Sequence, residues 1–293
     1  SSETRLSYSN KNSKVARGQI FEPREEATFM RRYVILIVLL PLLISCSGFS
    51  ESGVSSGVWK KEVNVFGITI QATDCVSDAK VRHAANVLAE YLDNDNDGVI
   101  DNPAVVDQIK ENNGWLGMSC EADDVSAAAT ELFAEETHPG GSSLNSGFDA
   151  TLEEILHVIT EKGYANAYPS VFAEREGSSI ANAMDTARGG VKGGGKPVDS
   201  YPADAWYTYD DKTCDYSCMV TEYFYWGLSS ILDAQSYSGR LDEIGDEWDL
   251  NTKAKVKATD PTLYNLLTNS QYKLPTTIPD GTYTGTTLTI TRK

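Results

Sequence analysis

Four aspartates fall within the nine residues DNDNDGVID, Asp93 to Asp101, and no other stretch limits the fold of this chain so strongly. Like charges at that density repel one another unless hydrogen bonds or a cation neutralise them. Gly98 in their midst suits a sharp backbone reversal. The flanks show how the turn is mounted. From Asp78 to Leu92 the apolar residues Val81, Ala84, Ala85, Leu88, Tyr91 and Leu92 recur at helical spacing. Beyond the turn, Asn102 is a good cap and Pro103 a good first residue for a second helix running to about Glu111. The sequence therefore predicts two helices joined by an acidic turn.

That turn resembles the EF-hand calcium loop. Oxygen-bearing Asp93, Asp95 and Asp97 alternate, Gly98 holds the sixth position, Ile100 the apolar eighth and Asp101 the ninth. The resemblance implies Ca2+ held by Asp93, Asp95, Asp97, the peptide carbonyl of Val99 and Asp101. It departs from the family at the twelfth position, where Ala104 replaces the bidentate glutamate and Asp101 or Asp107 is left to substitute. That departure implies a weak, extracellular type of site, on the order of 10⁻⁵ to 10⁻³ M.

An extracellular setting also follows from Met30 to Cys46, MRRYVILIVLLPLLISC. Arg31 and Arg32 precede an apolar run of about 12 residues, short of the roughly 20 needed to span a bilayer, so the segment reads as an export signal. Leu43, Ile44, Ser45 and Cys46 resemble a bacterial lipobox, which implies lipidation of Cys46 and a membrane anchor in the cell envelope. Ser47 after the cysteine leans that resemblance towards the outer membrane or cell surface. Residues 1–29 are polar, unpatterned and upstream of Met30, and are read as a mis-assigned upstream segment. The expected organisation is thus 1–29 upstream, 30–45 signal peptide, 46–57 lipidated Cys46 with a Ser/Gly tether, and 58–293 a single calcium-binding domain.

The chain carries 42 acidic against 25 basic residues, net −17, and −20 once residues 1–45 are set aside. Such a domain repels phosphate backbones, so no nucleic-acid partner is expected. Cys75, Cys120, Cys214 and Cys218 make an even number in an oxidising compartment, favouring two disulfides. Of three pairings, Cys75 with Cys120 and Cys214 with Cys218 is preferred, because the latter two are close neighbours. Strand chemistry is expected at Val63 to Ala72, and the alternating tail Gly281 to Thr291 is a candidate partner for it. Further helices are predicted at Val125 to Glu136, Asp149 to Lys162, Ser178 to Arg188, Met219 to Gln235, Leu241 to Leu250 and Pro261 to Thr268. The fold class expected is therefore mainly α, a single helical domain with a helix-loop-helix calcium site and a few short strands.

A second group of ligand-type residues lies on TLEEILHVITEKG. Leu152, Ile155, Leu156 and Ile159 form one stripe, so Glu153 and His157, four apart, share another side with Glu154 nearby. The stretch resembles the HExxH helix of zinc peptidases with Glu153 in place of the first histidine. Glu222, in VTEYFYWGLSSIL, resembles the downstream glutamate of gluzincin-type metallopeptidases, and a carboxylate in so apolar a helix needs a partner. The resemblance implies Zn2+ bound by Glu153, His157 and Glu222, with Glu154 as the catalytic base. Two other readings stay open: a solvated amphipathic face, and a carboxylate site using the second ExxH pair, Glu135 with His138.

The favoured function is a surface lipoprotein with structural calcium and metal-dependent hydrolase activity of a zincin-like peptidase. Its rival is a non-catalytic, calcium-stabilised module binding a glycan or protein partner through the aromatic run Tyr201 to Trp226. A peptide or glycan ligand is expected in either case.

Overall fold

The computed structural model describes residues 57–120, 130–143, 146–192 and 194–293. The upstream segment, the signal, Cys46 and most of the tether lie outside the described residues.

The expectation of a mainly α domain is corrected. Described residues are about 40% helix and 12% strand, and a five-stranded mixed sheet forms one layer. Its strands are β1 (Trp59–Val65), β2 (Ile68–Thr73), β3 (Trp115–Ser119), β4 (Thr130–Phe133) and β5 (Thr291–Arg292), in spatial order β4-β3-β2-β1-β5. The single strand expected over Val63 to Ala72 is two, folded at Phe66 and Gly67. Both have positive φ, 52° and 90°, and form the kind of tight turn that matches the twist of an antiparallel hairpin. In β1, Trp59, Lys61, Val63 and Val65 point inward, while Lys60 and Asn64 face water. Buried Lys61 pairs with Asp78 at 3.1 Å and so ties the sheet to the first helix.

β2, β3 and β4 pair in parallel. Short apolar strands covered on both sides show no alternation, which is why WLGMS (Trp115–Ser119) escaped notice in the sequence. The helix expected over Val125 to Glu136 is overturned where it can be seen, since Thr130–Phe133 is strand and the next residues turn; residues 121–129 lie outside the described residues. The tail meets the sheet only through β5, opposite Lys61 and Glu62.

The helices are α1 (Asp78–Leu92), α2 (Pro103–Glu111), α3 (Thr151–Val158), α4 (Ala165–Ala167), α5 (Pro169–Phe172), α6 (Ser179–Ala187), α7 (Tyr216–Ile231), α8 (Arg240–Ile244), α9 (Lys253–Thr259) and α10 (Pro261–Leu267). α2 begins as its Asn102 cap predicts, with Asn102 accepting from the Val105 amide, and α1 is capped by Ser77, which accepts from the Lys80 amide. α3 runs without a break into a π-helical turn, Ile159–Tyr164. That turn lies against α2, and a Cβ on Gly163 would stand 2.7 Å from Val105 Cγ1. α1, α2 and α3 cover the sheet, and α7 packs on α3, α6, α9 and α10, so the sheet, α3 and α7 form successive layers. The expected helix Leu241 to Leu250 stops early, at Ile244.

Both expected disulfides form. Cys75–Cys120 joins the ends of β2 and β3 with Cα atoms 6.3 Å apart, and Cys214–Cys218 links the start of α7 with Cα atoms 5.3 Å apart. No helix among the described residues is long and apolar enough to cross a membrane.

Candidate metal centres

Among the described residues, two groups of side chains bring three ligand atoms within 4.8 Å of one another: Asp93, Asp95 and Asp97, and Glu153, His157 and Glu222.

The first sits where α1 ends. Asp93 is fully buried; its Oδ2 accepts from the Gly98 amide at 2.8 Å and from Tyr283 Oη at 2.6 Å, and its Oδ1 from the Asp97 amide at 3.2 Å. Asp95 Oδ1 accepts from the Asp97 amide, and Asp97 Oδ1 from the Val99 amide at 2.8 Å. Gly98 takes φ 86°, and a Cβ there would stand 2.8 Å from the Gly285 carbonyl oxygen. Asp101 stays outside the converging trio and accepts from the Asn94 amide at 2.8 Å. Val99 is exposed, Ala104 lies exposed on α2, and Asp107 is paired with Lys110 at 2.8 Å. The Asp97 amide draws the Asp95 carboxyl pKa down, but desolvation and the charges of Asp97 and Asp101 leave it above its ordinary value.

The tail is fastened over this loop. Buried Glu90 accepts from the amides of Asp280, Gly281 and Thr282, each at 2.8 Å, and Asn94 Oδ1 from those of Thr276 and Thr277. The loop is thereby part of the fold's architecture.

The second group is assembled from two helices. α3 carries Glu153 and His157 one turn apart on the side facing α7, where Glu222 projects from among apolar neighbours. His157 Nε2 lies 3.6 Å from Glu222 Oε2, and Nδ1 lies 3.6 Å from Glu154 Oε2. The side chains of His157 and Glu222 are 9% and 5% exposed, and that of Glu154 22%. His157 Nε2 is buried with no hydrogen-bond partner among the described residues. The ring of Tyr225, one turn beyond Glu222, meets the imidazole edge-on at 5.9 Å between centroids, and its hydroxyl accepts from Gln235 Nε2 at 3.1 Å.

Burial governs the charges here. It raises the pKa of Glu153 well above the carboxylate range, helped by the charge of Glu222, and raises that of Glu154. Burial opposes the protonated form of His157, yet Glu222 and Glu154 outweigh it and lift the imidazole pKa well above its usual value. More carboxylates surround the group. Glu136 on the turn after β4 and Glu174 after α5 are each pushed to about 7, chiefly by desolvation. Glu174 accepts from Thr221 Oγ1 at 2.9 Å.

Sequence reasoning brought together Glu153, His157 and Glu222, which do converge. It missed the position of Glu154 at Nδ1, on the opposite side of the ring from Glu222, and it missed Tyr225, whose spacing of three from Glu222 on one helix was the available signal. The second ExxH pair is not at helical spacing, since Glu135 lies in a turn. Of the other histidines, His83 is bound to Asp149 at 2.7 Å, with both side chains buried. A cleft of about 410 Å³ opens beside this region, walled by Glu174, Gly194, Gly195 and Tyr216 among others. Comparison with protein-family models, with curated proteins and with solved structures finds no match to this chain.

Proposed function

We propose that this chain is an exported, envelope-anchored hydrolase that uses one divalent transition-metal ion, Zn2+ by donor chemistry, between α3 and α7, and Ca2+ to stiffen the α1–α2 turn. The observation that carries the metal reading is His157 Nε2. A buried ring nitrogen with no hydrogen-bond partner faces a buried carboxylate at 3.6 Å, too far for a hydrogen bond. Two ligands about 2 Å from a tetrahedral ion stand about 3.3 Å apart. The gap is therefore the right width for an ion, and an ion would offset the cost of enclosing Glu153 and Glu222 together. One imidazole and two carboxylates form a three-ligand set of the catalytic kind, with a place left for water.

When bound, the ion acts as a Lewis acid and makes water nucleophilic near neutral pH. The protein's own groups hold and orient. Glu154, 3.6 Å from Nδ1, is the carboxylate that would close on the ring and fix its tautomer and tilt once the ion is bound, as carboxylates beside ligating histidines do. The base role expected for Glu154 requires it to leave Nδ1 for the water on the far side of the ring. The Tyr225 hydroxyl, held by Gln235, is a donor placed to steady Glu153.

Anchoring through Cys46 and an outer-membrane or cell-surface location belong to the same proposal and rest on the lipobox resemblance. The rival, a non-catalytic module for a glycan or protein partner, draws its support from the enclosure of the ligand set. The deciding experiment loads the full chain with zinc and challenges it with a peptide library. Zinc uptake with chelator-sensitive cleavage supports the hydrolase, and zinc uptake with an undigested library favours the module.

A further inference from the structure

Gln235 is fully buried, and the way α7 ends puts it there. Leu232 caps the helix and Asp233 takes φ 66°, in the left-handed region. The Asp233 amide donates to the Ser230 carbonyl at 3.2 Å and the Ala234 amide to that of Ser229 at 2.9 Å. That pair of bonds reverses the chain and lays Gln235 back along its own helix. Arg240, the first residue of α8, meets it there. Its Nε donates to Gln235 Oε1 at 2.7 Å, its Nη1 to Glu243 at 3.0 Å, and the guanidinium carbon lies 4.4 Å from the centroid of the Phe148 ring.

These partners fix the direction of every hydrogen bond. An arginine only donates, so the oxygen of the Gln235 amide faces Arg240 and its nitrogen faces the other way. That nitrogen has two hydrogens and two acceptors, Tyr225 Oη at 3.1 Å and Ser229 Oγ at 2.9 Å. An amide nitrogen accepts nothing, so the phenolic proton of Tyr225 cannot return to Gln235 and is left for another acceptor. The Glu153 carboxylate lies within hydrogen-bonding reach of it. A one-way chain of donors therefore runs from a buried guanidinium to a carboxylate of the candidate metal set, and Arg240 itself is within electrostatic reach of Glu153. Each link polarises the next, in surroundings where little water competes.

We propose that Gln235 and Arg240 are positioning residues for the metal centre: through Tyr225 they hold one oxygen of Glu153 and leave the other for the ion. This rests on the metal reading above and deepens it, since a glutamate that ligates through one oxygen keeps a position free for water. A purely structural role, pinning the turn after α7, predicts a different response at Gln235. Gln235→Glu keeps the length of the side chain and gains an ion pair with Arg240, so it would hold the turn as well, and by charge alone it would tighten a nearby cation. In the relay it acts in reverse. A carboxylate there accepts from Tyr225 and draws the phenolic proton away from Glu153.

The test is the zinc affinity of the full chain, by competition with a chromophoric chelator, together with the visible spectrum of the Co2+-loaded protein, which reports coordination geometry. Tyr225→Phe and Gln235→Glu should each weaken zinc about 10- to 100-fold and lower the intensity of the cobalt bands, as Glu153 turns to bind through both oxygens. Gln235→Met removes the donor but leaves the Tyr225 proton free to stay on Glu153. It should weaken zinc less than Gln235→Glu does, whereas a structural role reverses that order, because Met forfeits the bond to Arg240. Zinc affinity and cobalt spectrum unchanged in Tyr225→Phe overturn the relay, as does a Gln235→Glu variant that binds zinc as tightly as wild type or tighter. Tyr225→Phe decides alone if neither Gln235 variant folds. Wild type that takes up neither zinc nor cobalt defeats the metal reading and the relay with it; zinc affinity shared by wild type and every variant defeats the relay and leaves the metal.

Discussion

The Asp93, Asp95, Asp97 loop and the Glu153, His157, Glu222 group both hold three ligand atoms within 4.8 Å of one another, yet two of the loop's three carboxylates face water, while His157 and Glu222 are buried and Glu153 half-buried. In the loop the carboxylates are answered by backbone amides a few residues away and by Tyr283, and Asp95 and Asp97 are exposed. In the buried group, His157 Nε2 has no hydrogen-bond partner among the described residues, and the Glu222 carboxylate it faces stands 3.6 Å off. A loop whose carboxylates already accept from nearby amides stands without a cation, and its geometry alone does not call for one. A buried set with an unmet ring nitrogen is the better candidate for one. The difference teaches that convergence of carboxylates is a weak sign of a metal, and that an unmet ring nitrogen among them is a stronger one.

The largest effect that would sharpen this contrast is loss of zinc on removing a buried ligand. His157→Ala and Glu222→Ala should each weaken zinc on the order of a hundredfold or more, measured by competition with a chromophoric chelator, and leave calcium binding untouched. Glu154→Gln separates two roles. If Glu154 orients the ring, zinc affinity falls about 10- to 100-fold; if it serves as base, zinc stays and hydrolysis is lost.

Next in size is a pH effect confined to the enclosed region. The Glu136 carboxyl is raised from its ordinary value to about 7, mainly by desolvation and against the hydrogen bond from the Phe133 amide. Its folded form therefore holds a proton that the unfolded chain releases, so stability is full below the unfolded value and falls as pH rises through 7. Glu136→Gln should raise stability at pH 8 by about 1–3 kcal/mol and change little at pH 4, read by denaturant melts at the two pH values.

A further effect belongs to the loop. Calcium at a hundredfold excess over its dissociation constant should stabilise the fold by about 2.7 kcal/mol, and Asp95→Ala with Asp97→Ala should remove that increment while zinc binding persists. A melt indifferent to calcium would erase the comparison from the other side.

The same two regions show how much the sequence made legible. α1 spans Asp78 to Leu92 as its apolar spacing indicated, and α2 starts after its Asn102 cap, because those signals are local. The cysteine pairs followed from even count and nearness. The sheet did not, since β3 and β4 are short, pair in parallel and are defined by partners far along the chain, so Trp115–Ser119 carries no alternation to read. Helical spacing brought Glu153 and His157 to one side of α3 and set Glu154 near Nδ1 from the same helix, and the apolar context marked Glu222, but only packing of α3 on α7 sets Glu222 against Nε2. Nothing in the stretch around Arg188 announces an enclosed guanidinium, because its burial is set by residues distant in sequence, the ring of Tyr201 among them.

The central claim, that the buried group holds a transition metal and the loop does not, is tested most directly by elemental analysis. The full chain is equilibrated with both calcium and zinc and then freed of loose ions. The account predicts one zinc per chain in wild type and in the Asp95→Ala, Asp97→Ala double variant, and none in His157→Ala. Wild-type protein that retains calcium but no zinc, or a His157→Ala variant that retains zinc in full, would contradict it.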